Sequence, residues 1–399
     1  MLVGIIGKAN TGKSTFFNAA TLLNVPMAAY PFTTISPNLG VGYIRVKCVC
    51  KELNLDDNPV NSNCIHGNRF IPVKLVDVAG LVPKASEGKG LGNKFLDDLR
   101  QSDAVIHVVD SSGSTNSEGR TCEPGERDPL DDIEFVESEF DMWIRQIILR
   151  DWTRISKTSE SGDGKVELML AERLSGLSIT EGQIHEAFRN ADLKSGKPAL
   201  LDKEDLLRFS RCLRRIAKPG LIAANKADLP SSESNIGRLR EGDRFLVSCA
   251  SEAELLLRRA TAKGLIKYLP GDGSFEIIDR SKLTEEQNKA LRFVEDKILA
   301  RWGTTGVQEA INASYLSLLG GIIVYPVEDE SKLSDKKGNV LPDAYVLKNG
   351  STAKDLAHVI HTDIGDGFLY AMDAKKGTRV SGDYLLKDSD VICIASTSK

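Results

Sequence analysis

An α/β architecture built on a mostly parallel sheet is the fold class that the sequence predicts, and two observations predict it. Short β-rich apolar runs at Leu2–Ile6, Gly40–Val46, Ile71–Val78, Ala104–Asp110, Gly220–Ala224 and Arg244–Ser248 are separated by helical stretches, the pattern of a sheet covered on both faces. The first of these runs ends in a glycine-rich turn, Gly7-Lys8-Ala9-Asn10-Thr11-Gly12-Lys13-Ser14, and leads into a helix over Lys13–Leu23. That turn fits G-x-x-x-x-G-K-[ST] at every required position and sits between a strand and a helix, as its chemistry demands.

The rhythm changes after Asp110. Residues 111–128 read as a polar loop, and Pro129–Ala217 reads as helix throughout, so the sequence predicts an α-helical domain (129–217) inserted in the sheet domain (1–128 and 218–321). A further helix is expected over Thr284–Arg301, with Thr284 and Gln287 at capping-box spacing, and another over Gly306–Leu319. From Ile322 the texture becomes short strands (Ile322–Val327, Ala344–Leu347, Gly367–Met372, Arg379, Val391–Ala395) around one helix, Thr352–His361, which predicts a small α+β module over 322–399.

Composition narrows the function classes. The 399 residues are enough for two or three domains; 41% are hydrophobic, 27% are charged and 14 are proline, which excludes a disordered or fibrous chain. A net charge of −4 argues against a polycation that grips DNA through its overall charge. The longest apolar candidate, Tyr315–Val327, is broken by Gly320, Gly321 and Pro326, so a membrane span is not expected. Seven cysteines in a long chain without an export signal suggest reduced thiols and a cytoplasmic location.

The glycine-rich turn is a phosphate cradle. Gly7 and Gly12 let the backbone wrap close to a phosphate chain, and successive amides from Asn10 to Thr15 with the positive helix end stabilise several negative charges. Lys13 is expected to reach the outer phosphates and Ser14 to give its hydroxyl oxygen to Mg²⁺. Asp77-Val78-Ala79-Gly80 ends a long apolar strand, where Asp77 can hold Mg²⁺ through water and the Gly80 amide can bond the γ-phosphate. Thr33 and Thr34 lie between these elements and can offer a hydroxyl to the metal. In Asn225-Lys226-Ala227-Asp228, the Asp228 carboxylate can accept hydrogen bonds from the ring N–H and exocyclic amine of guanine. Adenine has no such donor pair and would leave the carboxylate unpaired. Asn225 would brace the loop, the Lys226 stem would cover the base, and Ser248-Cys249-Ala250 would present amides to the guanine carbonyl. Five elements in this order predict a P-loop NTPase of Ras-like G-domain type that binds GTP and GDP. Replacing Asp228 with Asn should shift preference toward xanthosine nucleotides.

Tyr30-Pro31-Phe32-Thr33-Thr34, Pro37-Asn38-Leu39-Gly40, Asp77-Val78-Ala79-Gly80-Leu81-Val82-Pro83 and above all Glu87-Gly88-Lys89-Gly90-Leu91-Gly92-Asn93-Lys94-Phe95-Leu96 resemble the Obg-related GTPase family, in its YchF branch. The resemblance covers essentially the whole chain. It implies that 129–217 is the family's helical insertion, that 322–399 is a ubiquitin-like β-grasp TGS domain, and that Thr34 rather than Thr33 binds magnesium. It also implies a ribosomal partner. Ala9 and Thr11 stand where the family commonly has Pro and Val, both positions that contribute mainly backbone. The best-known YchF members have an altered base-recognition tetrapeptide and prefer ATP, whereas Asn225-Lys226-Ala227-Asp228 is unaltered here. An ATPase on the same scaffold, and a nucleotide-regulated RNA- or protein-binding adaptor with incidental hydrolysis, remain the alternatives.

Leu81 occupies the place where Ras-like enzymes carry the glutamine that orients the attacking water. Slow hydrolysis is therefore expected, on the order of 10⁻⁴–10⁻² s⁻¹, with Lys13, Thr34, Gly80 and Asn10 as the catalytic set. Asn10 is a candidate for holding K⁺ beside the β/γ bridge as an electrostatic substitute for an arginine finger. The glycines of Glu87–Gly92 suit a segment that reorders with the γ-phosphate, or equally a permanently ordered tight loop.

Weaker signals complete the reading. Cys48, Cys50, Cys64 and His66 form C-x-C…C-x-H, either four metal ligands or small core residues beside a strand. Arg208, Arg211, Arg215 and Lys218 form a helical basic stripe, able to meet rRNA phosphates or simply a solvated face. His107, Trp143 and Trp152 are expected to be packing residues.

Overall fold

The computed structural model describes residues 1–21, 38–78, 99–162, 164–194 and 197–397. Along the chain come β1 (Leu2–Ile6), α1 (Lys13–Thr21), β2 (Leu39–Lys47), α2 (Val49–Glu52), β3 (Asn63–Ile65), β4 (Asn68–Asp77) and β5 (Ala104–Asp110). Then follow the helices α3 (Pro129–Leu149), α4 (Trp152–Glu160), α5 (Val166–Arg173), α6 (Glu181–Asn190) and α7 (Lys203–Ala217). The α/β pattern resumes with β6 (Gly220–Asn225), α8 (Ser232–Arg240), β7 (Leu246–Ser248), α9 (Ser251–Ala262), β8 (Ile266–Lys267), β9 (Glu276–Ile277) and α10 (Glu285–Val294). Last are β10 (Gly321–Val327), β11 (Tyr345–Lys348), α11 (Ala353–Ile360), α12 (Thr362–Asp366), β12 (Phe368–Asp373), β13 (Thr378–Val380) and β14 (Asp390–Ser396). The chain forms two compact units: Leu2–Ala19 with Leu75–Ala310, and Met1 with Ala20–Lys74 and Ile311–Lys399.

In the first unit β1, β5, β6 and β7 lie side by side, all parallel, with Val3 opposite Ala104, Val105 opposite Gly220 and Ile222 opposite Leu246. Every residue of β5 is buried, which is why it reads as a continuous apolar run rather than an alternating one. His107 lies within it, buried, and burial lowers its pKa to about 4. It is a neutral core residue at physiological pH. Parallel strands with the same polarity bring their C-terminal ends to one edge, and Gly7, Asp110, Asn225 and Ser248 all fall at such ends, while Asp77 is the last residue of β4.

The helical stretch begins where Asp128 caps α3, its side chain accepting from the Leu130 amide at 3.0 Å, with Pro129 in the first turn. It ends at Ala217, with α7 packed against α3 and α6. Phe188 meets Phe209 with ring centroids 4.3 Å apart, and Asp141 accepts from Arg214 Nε at 2.6 Å. Of the expected basic stripe, Arg208, Arg211 and Arg215 stay exposed along α7 and only Lys218 leaves it. Lys218 is buried and donates to the Arg100 carbonyl at 3.0 Å, while Arg208 pairs with Asp205 at 2.7 Å and Arg211 with Asp141 at 3.5 Å. Helical spacing keeps the three arginines on the outside of α7, whereas Lys218, just past the helix end, is turned in to a backbone carbonyl. Trp143 lies against Phe140 and Trp152 is buried, as packing residues.

In the second unit, β3 and β4 form an antiparallel hairpin in which Ile65 faces Asn68. His66 and Gly67, with φ 52° and 78°, supply the two left-handed residues that a tight two-residue turn requires. The hairpin escaped the sequence reading because His-Gly is a weaker turn signal than Asn-Gly. It carries His66 to an exposed tip, away from the three cysteines with which it was grouped. The C-terminal part of this unit is a mixed sheet in the order β11-β10-β14-β12-β13, with β10 and β14 parallel and the other neighbours antiparallel. Thr352 caps α11 in a reciprocal box with Asp355, and Ala353 and Leu356 pack onto Ile322, Val324 and Ile392 of the sheet. This is the expected β-grasp arrangement.

Candidate nucleotide-binding site

The loop after β1 has the shape its glycines require. Gly7 has φ 154°, and a Cβ there would stand 2.4 Å from the Val108 carbonyl oxygen. At Gly12, φ is 90° and a Cβ would come within 2.2 Å of Asn225 Nδ2. Between them Asn10 adopts φ 63°, which asparagine tolerates better than most residues. α1 starts immediately after the turn, with the Phe16 amide donating to the Gly12 carbonyl at 2.9 Å. Ser14 is exposed and Thr15 half-buried in its first turn, where amides lack partners within the helix. Lys13 Nζ bonds Asp77 Oδ1 at 2.5 Å, so the residue expected on the phosphates and the one expected at the magnesium are neighbours.

Asn225 ties the cradle to the base-recognition loop. Its Nδ2 donates to the Thr11 carbonyl at 2.9 Å, while its Oδ1 accepts from the Ser251 amide at 3.1 Å and the Ser251 hydroxyl at 2.8 Å. One buried amide thereby joins the phosphate loop, the end of β6 and the start of α9. Lys226 adopts φ 59°, and its Nζ reaches Asp110 Oδ2 at 2.8 Å and the hydroxyl of Thr115 at 3.2 Å. Asp110 is buried and also accepts from the hydroxyls of Ser112, Ser114 and Thr115, at 2.5, 3.0 and 2.5 Å. Burial opposes its ionisation, but Lys226 and these hydroxyls win and hold its pKa below the ordinary value. The sequence reading passed over Asp110 and its serine-rich loop, although an acid ending a buried strand ahead of Ser-Ser-Gly-Ser-Thr was a usable signal.

Asp228 is half-buried, and desolvation raises its pKa above the ordinary carboxylate value. Ala227 is locked beside it: its amide donates to the Cys249 carbonyl at 3.0 Å and its carbonyl accepts from Trp302 Nε1 at 3.1 Å. The expectation for Ser248-Cys249-Ala250 needs correction. The Cys249 amide donates to the Ala224 carbonyl and the Ala250 amide to the Thr305 carbonyl, both at 2.9 Å. These two donors hold the loop in shape and are not turned to a ligand. The buried Glu254 supports the arrangement, accepting from Thr305 Oγ1, Tyr268 OH and Arg258 Nε at 2.5, 2.7 and 2.6 Å.

The loop after β5 also reaches over the cradle. Asn10 Nδ2 donates to the Gly119 carbonyl at 2.5 Å, and the buried Lys8 bonds both carboxylate oxygens of Asp132 in α3 at 2.6 Å. The Lys8–Asp132 pair was not legible in sequence, since the motif leaves position 8 unspecified and Asp132 lies 124 residues away. Thr33, Thr34, Gly80, Leu81 and the Glu87–Gly92 segment lie outside the described residues.

Three family models match along the chain. The 50S ribosome-binding GTPase model covers residues 2–136, the Obg-like GTPase YGR210-like, G4 motif-containing domain covers 223–329, and the TGS domain covers 337–396. Fold and site together define a P-loop protein of the GTPase class, with a mostly parallel sheet, a helical region and a C-terminal TGS domain. A GTP-binding protein of Methanocaldococcus jannaschii is 50% identical over 400 residues, covering 100% of both chains. The ribosome-binding ATPase YchF of Mycoplasma genitalium is 30% identical over 420 residues, with 97% of each chain covered. The crystal structure of a GTP-binding protein from Pyrococcus horikoshii superposes with a TM-score of 0.76 at 40% identity, over 100% of both chains. The chain belongs to the YchF branch of the Obg-related GTPases.

Proposed function

We propose that this protein binds GTP with Mg²⁺, hydrolyses it slowly to GDP and phosphate, and serves as a nucleotide-dependent switch that engages the ribosome in the cytoplasm. The observation that carries the guanine assignment is Asp228. It is a half-buried carboxylate beside a rigidly held Ala227, in a tetrapeptide joined to the phosphate loop through Asn225. An acid whose ionised form is already costly there gains from a ligand that offers two donors, and guanine does so where adenine does not. Titration calorimetry with GTP and ATP tests this directly. Guanine should bind at least tenfold tighter, and equal affinities would return the reading to an ATPase.

In this reading Lys13 exchanges the Asp77 carboxylate for phosphate oxygens, and the first-turn amides of α1 take up further negative charge. The donor set fits magnesium, because Ser14 is an exposed hydroxyl at the helix start and Asp77 is a hard carboxylate beside Lys13. Ser14, Asp77 and, by resemblance, Thr34 would hold the ion, which when bound neutralises charge developing between the β- and γ-phosphates. Gly80 would donate its amide to the γ-phosphate. Leu81 cannot orient water, so turnover depends on charge stabilisation around Lys13 and Asn10. The Asn10 amide is held in place through Gly119, which leaves its oxygen available to K⁺ at the β/γ bridge. Single-turnover hydrolysis should be at least tenfold faster in potassium than in sodium, and equal rates would remove the ion from the scheme.

The domain reading is a G domain over 1–128 and 218–321, a helical insertion over 129–217 and a TGS domain over 322–399. The last two would report the nucleotide state to the partner. The ribosomal assignment rests on the names of relatives and of the matching family model. Co-sedimentation with ribosomes should differ between the GTP-analogue and GDP states, and a nucleotide-independent pellet would favour the adaptor alternative.

A further inference from the structure

The second compact unit holds a cluster unrelated to nucleotide chemistry. The thiols of Cys48, Cys50 and Cys64 and a carboxylate oxygen of Asp57 all lie within 4.8 Å of one another. They come from three separate pieces of chain: the start of α2, the loop after it, and β3. Cys50 Sγ and Cys64 Sγ are 3.7 Å apart, and Cys48 Sγ is 3.2 Å from Asp57 Oδ2. A tetrahedral ion with Zn–S bonds of about 2.3 Å requires sulfur atoms about 3.8 Å apart, so the observed spacing is that of ligands sharing one centre.

The surroundings orient the donors. Cys48 and Cys50 are each only 3% exposed. The Cys48 amide donates to the Gly67 carbonyl at 2.9 Å, which fastens the β3–β4 turn to α2 and brings Cys64 alongside. Cys48 occupies the N-cap of α2 but makes no side-chain cap bond, leaving its sulfur turned to the cluster. Asp57 Oδ2 accepts from the fully buried Arg69 at 2.7 Å, the kind of outer contact that fixes a ligating carboxylate. Arg69 is held in turn by the Leu341 carbonyl at 2.6 Å and lies over the Tyr325 ring, 5.6 Å from its centre. Thiols alone do not explain this convergence, because S–H groups are weak donors and Arg69 already answers the Asp57 charge.

We propose that Cys48, Cys50, Cys64 and Asp57 form a structural site for a thiophilic divalent ion of the Zn²⁺ class. Three thiolates and a carboxylate bring four negative charges, of which the dication and the Arg69 guanidinium cancel three. Four protein ligands leave no open position, so the ion serves to pin α2, the following loop and the β3–β4 hairpin together. His66 has no part in it, since the turn that gathers the cysteines carries the imidazole to an exposed tip.

The test uses the full chain, purified without a histidine tag and without chelator. Elemental analysis should find about one zinc per chain. Chelation followed by Co²⁺ addition should produce a thiolate-to-cobalt charge-transfer band together with the visible bands of a tetrahedral centre. Cys64→Ser should lose the bound zinc and most of the band, whereas His66→Ala should keep both. Circular dichroism of Cys64→Ser separates loss of metal from loss of fold, and the cobalt titration of the unaltered protein decides the matter if that variant does not fold. Less than about a tenth of an equivalent of metal with no cobalt spectrum would overturn the proposal. So would a spectrum that survives Cys64→Ser, or a Cys50–Cys64 disulfide recovered by mass spectrometry from protein purified under reducing conditions.

Discussion

Replacing Asp228 with Asn should weaken GTP binding by roughly 10²–10⁴-fold while leaving the affinity for ATP within a few-fold of its starting value. Two charge-assisted hydrogen bonds of about 1.5–3 kcal/mol each are at stake, and the new amide places a donor against the guanine amine. The stability of the protein should not fall with its function. Desolvation raises the Asp228 pKa above the ordinary carboxylate value, so the folded chain holds that proton more tightly than the unfolded chain does. The associated stabilisation is complete below the unfolded value and is lost as pH rises through the folded one. At neutral pH the ionised side chain is therefore a cost of the fold, which Asn relieves. Equal or higher melting temperature with lost guanine affinity is the expected combination. The same pKa predicts that GTP affinity declines on acidification earlier than an ordinary carboxylate would cause, because only the ionised form accepts both bonds. Calorimetry across the acid range, with Asp228→Asn as the reference, checks the slope. A variant that keeps its guanine preference would remove Asp228 from the site.

Much of this architecture was legible because each element carried two signals that agreed. Ala104–Asp110 was a pure apolar run and is a fully buried strand with those bounds. Thr284 and Gln287 stood at capping-box spacing and form the box, as Thr352 and Asp355 also do. Failures occurred where long-range partners decide. Lys218 belongs to a basic stripe in projection, yet three dimensions place it beneath the chain around Arg100. Cys64 and His66 look equivalent in sequence, and only the tight turn at His66-Gly67 separates them, while Asp57 joins the thiols through a loop that has no periodic signal. In the nucleotide site the motif positions Gly7, Gly12, Lys13, Asn225 and Asp228 were readable by residue type. The contacts that brace them, Lys8 to Asp132 and Lys226 to Asp110, join residues more than a hundred positions apart, which no local pattern encodes.

Asn225→Ala should fail differently from Asp228→Asn, and the contrast separates the two halves of the site. The Asn225 amide is spent on the Thr11 carbonyl and on both the amide and the hydroxyl of Ser251. Removing it orphans buried backbone groups at Thr11 and Ser251, at about 1–3 kcal/mol each. It also opens space beside Gly12, whose approach to Asn225 is so close that no Cβ fits. The phosphate loop then loses the brace that fixes its amides, and these amides meet a triphosphate whatever base it carries. GTP and ATP affinity should therefore fall together, by roughly 10–10³-fold, with a melting temperature lower by several degrees. Asn225→Asp keeps the acceptor toward Ser251 but places a carboxylate against the Thr11 carbonyl, so it should not rescue binding. If Asn225→Ala instead lost only GTP and kept ATP, the residue would belong to base recognition, and the hydrogen bonds it makes to Thr11 and Ser251 would be incidental to nucleotide affinity.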